Sequence, residues 1–94
     1  MKLFSSRMLR EFAATHGDAA QPLQDFRRKV EKGEFANFAQ LRSVFPAVDK
    51  VGERFVFNIG GNKFRLVAGI DFHRRLLWVK SVLTHRDYDK GDWR

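Results

Sequence analysis

Arg54-Phe55-Val56-Phe57-Asn58-Ile59-Gly60-Gly61-Asn62-Lys63-Phe64-Arg65-Leu66-Val67-Ala68-Gly69-Ile70 carries a period of two that reverses about a pair of glycines. Phe55, Phe57 and Ile59 alternate with Val56 and Asn58, which gives the first arm an apolar face. On the returning arm, Phe64, Leu66, Ala68 and Ile70 point one way, and Lys63, Arg65 and Val67 the other. Gly60-Gly61 permits the positive φ values of a tight hairpin turn. The stretch therefore predicts a β-hairpin with one face against a core. After Asp71-Phe-His-Arg-Arg75, the mostly apolar run from Leu76 to Leu83 predicts a third strand.

Upstream the period changes to that of a helix. Lys2 to Phe4 fits a short opening strand, and Ser5 or Ser6 is placed to cap a helix with Leu9, Phe12, Ala13 and His16 on one side, ended by Gly17. Asp18-Ala-Ala-Gln21 matches a capping box for a second helix, in which Pro22 falls in the first turn and Leu23, Phe26 and Val30 form the apolar stripe. Arg27, Arg28, Lys29 and Lys32 sit toward its C-terminus, where cations suit the dipole, and Gly33 stops it. Asn37-Phe-Ala-Gln40 is a second capping box, opening a short helix with Phe38, Leu41 and Phe45 on one side and Pro46 beyond its end. Helices first and strands second predict an α+β fold, with the helices on one face of a small antiparallel sheet.

Ninety-four residues suit a single domain spanning 1–94. Ten Phe, two Trp and one Tyr supply its core. With no cysteine, disulfide frameworks, thiolate metal sites and thiol nucleophiles are excluded, and a cytoplasmic setting is expected. No apolar run reaches the roughly 18 residues of a membrane span, and Met1-Lys2-Leu3-Phe4-Ser5 lacks the features of a signal peptide. Eighteen Lys and Arg against 11 acidic residues leave a net charge of +7. Such a potential attracts polyanions, nucleic acid foremost, and the sequence has no basic amphipathic helix that would favour a membrane surface.

Two places carry candidate chemistry. Arg65 falls on the strand face opposite the apolar row, with Lys63 two residues away, as a fixed cation pair facing solvent or a bound phosphate. Taken alone it reads first as a solvated charge on an outer sheet face or a surface ion pair. At the end of the third strand, Thr84-His85-Arg86-Asp87 fits a capped helical turn that sets His85 and Tyr88 three apart on one face, and the start of such a turn favours an anion. Taken alone, each is equally a surface or packing residue. As a set they match what RNA cleavage by its own 2′-OH requires: a proton acceptor, a proton donor and a cation for the phosphorane charge.

The remaining candidates have simpler readings. His16 is expected to pack and His73 to be solvated, and three scattered histidines make no metal site. Gly60-Gly61-Asn62-Lys63 lacks the strand–loop–helix setting of a phosphate loop. Asp87, Asp89 and Asp92 are spaced like a calcium ladder but lack its closing glutamate. Trp78 and Trp93 are of a type that stacks on bases, although Trp78 is expected in the core.

Val56-Phe57-Asn58-Ile59-Gly60-Gly61-Asn62-Lys63-Phe64-Arg65-Leu66 and Thr84-His85-Arg86-Asp87-Tyr88-Asp89-Lys90 resemble the signature segments of HigB toxins, RelE-like mRNA interferases of bacterial type II toxin–antitoxin systems. Phe45-Pro46-Ala-Val-Asp49-x-Val51 fits the same pattern, so the resemblance runs from the short central helix to the C-terminus. It implies a RelE-like fold and metal-independent cleavage of mRNA during translation on the ribosome. The products would carry a 2′,3′-cyclic phosphate or 3′-phosphate and a 5′-hydroxyl. It implies a helix-turn-helix antitoxin of the HigA type as partner, and no cofactor. Carried over by position, Arg65, His85 and Tyr88 are the expected catalytic residues, with Asn62, Lys63 and Lys90 in support as RNA-binding residues; Lys80 is a further cation expected to bind RNA. Phe64 stands where these toxins commonly carry tyrosine, on the core face of the strand. The competing expectation is a basic RNA-binding or ribosome-associated module that makes no cut.

Overall fold

The computed structural model describes residues 1–93. In chain order the elements are β1 (Lys2–Phe4), α1 (Ser6–Thr15), a 3₁₀ turn (Gly17–Ala19), α2 (Ala20–Lys32), α3 (Phe38–Val44), β2 (Asp49–Val51), β3 (Arg54–Ile59), β4 (Phe64–Asp71), β5 (Leu76–Thr84) and α4 (His85–Lys90). The strands form one five-stranded sheet in the order β1-β5-β4-β3-β2. All neighbours are antiparallel except β1, which runs parallel to β5. The α+β expectation holds, with two additions: the parallel edge pair and the three-residue strand β2.

The hairpin folds as its period dictates. Phe57 faces Leu66 and Ile59 faces Phe64 across β3 and β4, and all four are buried. Gly60 and Gly61 take φ of 63° and 68°, inside a four-residue loop that closes with Lys63 N–H on the Gly60 carbonyl at 3.4 Å. The core that this face presents to the helices is largely aromatic. Phe26, Phe45 and Phe57 meet with ring centroids 4.9–5.5 Å apart in edge and tilted arrangements, which suit the ring quadrupoles better than face-to-face stacking. Leu23, Val30, Leu41 and Leu77 fill the space around them.

The caps divide into two that form as the sequence suggests and two that do not. Asn37 accepts from Gln40 N–H at 2.9 Å, while the Gln40 side chain accepts from Ala36 N–H at 2.8 Å, closing the start of α3. Thr84 accepts from Asp87 N–H at 3.1 Å and starts α4. Ser5, by contrast, lies in the left-handed region at φ 70° and makes no side-chain cap, since an N-cap side chain reaches back only from an extended backbone. Asp18 lies inside the 3₁₀ turn, which runs with helical backbone through Ala19 into α2, so it too caps nothing. Gly33 ends α2 with extended backbone (φ −81°, ψ 146°). A Cβ there would collide with the ring of Phe35, so glycine is required by close approach rather than by a left-handed turn.

The second face of the sheet is not simply solvated. Val56 and Val67 are buried on it, as is Arg65. Between β4 and β5 the register slips at Val67/Ala68: Val67 pairs with Ser81 and Ala68 with Val79, leaving Lys80 as the extra residue of a β-bulge. The bulge resets the phase of β5. Leu77, Val79 and Val82 thereby all reach the core side, while Leu83 lies opposite Arg65.

Candidate active site

The site is built where the β3–β4 hairpin meets the end of β5. Phe64 pairs with Thr84 and Arg65 with Leu83. His85 N–H then donates to the Lys63 carbonyl at 3.0 Å, which ties the first residue of α4 to the hairpin loop. Residues some twenty apart in sequence are thus locked together by backbone pairing alone.

Arg65 is the second residue of β4, and it lies on the face away from the helices, as its alternation requires. It is only 9% exposed. Its Nη1 donates to the carbonyls of Phe64 (3.1 Å) and Asn62 (3.4 Å), and its Nη2 donates to Asn62 Oδ1 at 2.6 Å. The Tyr88 ring lies against it, 5.7 Å from centroid to guanidinium carbon. Among the described residues no carboxylate pairs with Arg65, so it is a nearly buried cation balanced only by neutral oxygens. Such a charge is costly by itself and favours an incoming anion.

Tyr88 is sandwiched. One side meets Arg65 and the other stacks on Trp93, with centroids 4.8 Å apart and planes 14° from parallel, while Trp93 Nε1–H donates to the Tyr88 carbonyl at 2.9 Å. The Tyr88 hydroxyl has no hydrogen-bond partner among the described residues. Trp93's role as a backing for Tyr88 was hidden from sequence, because nothing in Gly91-Asp-Trp93 announces that the chain folds back after α4. Gly91 permits that reversal with φ 79°.

His85 is partly exposed, and its Nδ1 lies 3.1 Å from Asp89 Oδ2, one helical turn on. A carboxylate at Nδ1 favours the tautomer with its proton there, which leaves Nε2 as the acceptor facing outward. Asp89, read from spacing only as part of an incomplete calcium ladder, is thus the orienting partner of His85.

The supporting cations are more dispersed than the sequence suggested. Asn62 belongs to the site through its bonds to Arg65. Lys63 sits in the loop and its Nζ lies 3.7 Å from Asp18, on the helical side, so Lys63 and Arg65 do not form a cation pair on one face. Lys90 lies 3.7 Å from Asp87 along α4, and Lys80 is exposed at the bulge on β5. His16 packs as expected, stacked on Phe12 at 4.1 Å and edge-on to Phe64, and His73 is exposed. Trp78 departs from expectation: it is on the outer face and 36% exposed. Among the described residues no three His, Asp or Glu gather into a metal-holding group.

Comparison with known proteins agrees with this frame. Residues 19–91 match the family model of HigB_toxin, described as the RelE-like toxic component of a toxin–antitoxin system. The chain is 30% identical over 92 residues to the mRNA interferase toxin HigB of Escherichia coli K12, covering 95% of this chain and 88% of that protein. It is 29% identical over 93 residues to the mRNA interferase HigB of E. coli O6:H1, covering 96% and 90%. An mRNA interferase HigB of Shigella flexneri is similar to the same degree as the K12 protein, at 30%. The matched segment contains the hairpin, the bulged strand and α4 entire. With that coverage, this chain belongs to the HigB toxin family, the RelE-like toxic components of toxin–antitoxin systems.

Proposed function

We propose that this protein is a metal-independent endoribonuclease that cuts mRNA during translation on the ribosome and so inhibits protein synthesis. The observation that carries the reading is Arg65: a nearly buried guanidinium with no carboxylate partner among the described residues, covered by Tyr88 and tied by the hairpin to His85. A charge held this way favours an anion, and a phosphodiester supplies one with the geometry that a guanidinium fork suits.

The reaction needs no bond to the protein. The 2′-OH loses its proton, its oxygen attacks the adjacent phosphorus, and the P–O5′ bond breaks as O5′ takes up a proton. A 2′,3′-cyclic phosphate and a 5′-hydroxyl result, and water can later open the ring to a 3′-phosphate. His85, acting through Nε2 with Asp89 at Nδ1, and Tyr88, whose hydroxyl has no partner among the described residues, share the two proton transfers. Arg65 stabilises the charge gathering on the phosphorane oxygens, and Asn62 holds the guanidinium in place from the loop. Lys63, Lys80 and Lys90 attract the RNA backbone as exposed cations. The partner in this reading is a helix-turn-helix antitoxin of the HigA type, and the setting is the cytoplasm.

Expression of the chain without its antitoxin arrests growth and yields new mRNA 5′ ends. Arg65→Ala and His85→Ala should each strongly reduce both, with the cleavage rate down by about 10²–10⁴ for loss of the proton carrier. Undiminished cleavage by the double variant would refute the assignment. Retained RNA binding with no cut by the parent chain would instead favour the binding-module reading.

A further inference from the structure

Trp78 lies opposite Gly69 on β4 and opposite Phe4 on β1, so these positions form one row across the outer face of the sheet. A Cβ on Gly69 would collide with the Trp78 indole, so the indole lies down over the glycine instead of standing off the strand. It remains 36% exposed, and Phe4 beside it is 41% exposed. The Lys2 ammonium sits 5.0 Å from the centre of the Phe4 ring, and Lys80 is exposed two residues beyond Trp78 on β5. Neither lysine has a carboxylate partner among the described residues. An aromatic floor with unpaired cations at its border is the arrangement that accepts stacked bases together with their phosphates. A protein partner of this apolar row would have to desolvate both lysines, whereas a polyanion neutralises them.

The row is continuous with the candidate active site. Gly69 follows Arg65 by four residues on β4, about 13 Å at strand rise, on the same face. We propose that Trp78, with Phe4 beside it, is a base-stacking platform for single-stranded RNA, holding nucleotides a few positions from the phosphate engaged at Arg65. The direction of the strand along β4 and the aromatic surface would then decide which bases flank the cut. This rests on the reading of Arg65 as the phosphate site, yet its test requires no cleavage.

The probe is a fluorescently labelled, fully 2′-deoxy single strand of about ten nucleotides, a length within the range of single-strand sites and without the 2′-OH that cleavage needs. Anisotropy gives affinity for the parent, Trp78→Ala and Trp78→Phe chains, each checked for its unfolding midpoint. Intrinsic fluorescence of the parent and of Trp78→Phe isolates the signal of Trp78. Stacking predicts quenching in the parent that is lost in Trp78→Phe, affinity kept in Trp78→Phe, and at least about a five-fold loss in Trp78→Ala. Equal affinity in all three with no quenching of Trp78 would overturn the proposal. So would self-association of the parent that Trp78→Ala abolishes while affinity for the strand is unmoved, since that would assign the face to a second copy of the chain. An intact platform in a chain that cuts no mRNA would keep the stacking site and remove the nuclease. Active cleavage with an unmoved Trp78→Ala affinity would do the reverse.

Discussion

At the scale of single residues, the site depends on how two side chains, Arg65 and His85, are held. Arg65 is fixed by three hydrogen bonds to its own hairpin and by the Tyr88 ring, with no carboxylate beside it among the described residues. Lysine at this position keeps the charge but cannot fork to Asn62 and a phosphate together, so Arg65→Lys should behave more like Arg65→Ala than like the parent in a cleavage assay. His85 is oriented by Asp89 at 3.1 Å. Asp89→Asn should lower the cleavage rate less than His85→Ala does and leave RNA affinity within about two-fold, because it alters the histidine's tautomer rather than a phosphate contact. Equal rates for the parent and Asp89→Asn would show that the pair is only a surface contact. That Arg65 lies on the outer face of the sheet, and that His85 and Tyr88 share the capped turn after β5, was legible in sequence from strand alternation and helical spacing. The burial of Arg65 was not, because it depends on the hairpin loop that wraps its guanidinium and on Tyr88 arriving from α4.

At the scale of elements, local chemistry decided what could be foreseen. The caps at Asn37 and Thr84 were legible because each side chain bonds within four residues of itself. Ser5 and Asp18 failed as caps because neighbouring elements set their backbone: the sharp exit from β1 in one case, the 3₁₀ turn in the other. β2 is three residues at a sheet edge, too short to display a period. The bulge at Lys80 shifts the phase of β5 within a run of apolar residues, and so hid which side Trp78 would take. The two working caps have different duties. Asn37→Ala should cost about 1 kcal/mol in urea unfolding and leave cleavage unchanged, because α3 touches no site residue. Thr84→Ala should show less than that globally, since α4 is short and buries none of its residues in the core. It should nevertheless slow cleavage clearly, because α4 carries both His85 and Tyr88. Parallel losses of stability and rate in both variants would contradict this division.

At the scale of the whole molecule, one sheet has two faces with different work. One face is an aromatic core against α1, α2 and α3, and the other gathers Arg65, Tyr88, the bulge and the exposed Trp78. The net charge of +7 surrounds both. Affinity for single-stranded RNA should therefore fall with salt, the logarithm of the binding constant dropping by about 0.7 per phosphate neutralised for each decade. Lys80→Ala should reduce that slope by less than one contact and Arg65→Ala by about one. A slope near zero would mean that the charge does not serve RNA binding.

The central claim is chemical: the Arg65, His85 and Tyr88 cluster cuts mRNA without a metal. It is tested most directly by incubating the purified chain in EDTA with mRNA alone and with mRNA in a translating ribosome complex, and mapping the ends produced. The account predicts discrete cuts in the ribosome complex that leave 5′-hydroxyl and 2′,3′-cyclic or 3′-phosphate ends and disappear in His85→Ala. Intact mRNA in EDTA, with cleavage restored by added magnesium and leaving 5′-phosphate ends, would contradict it.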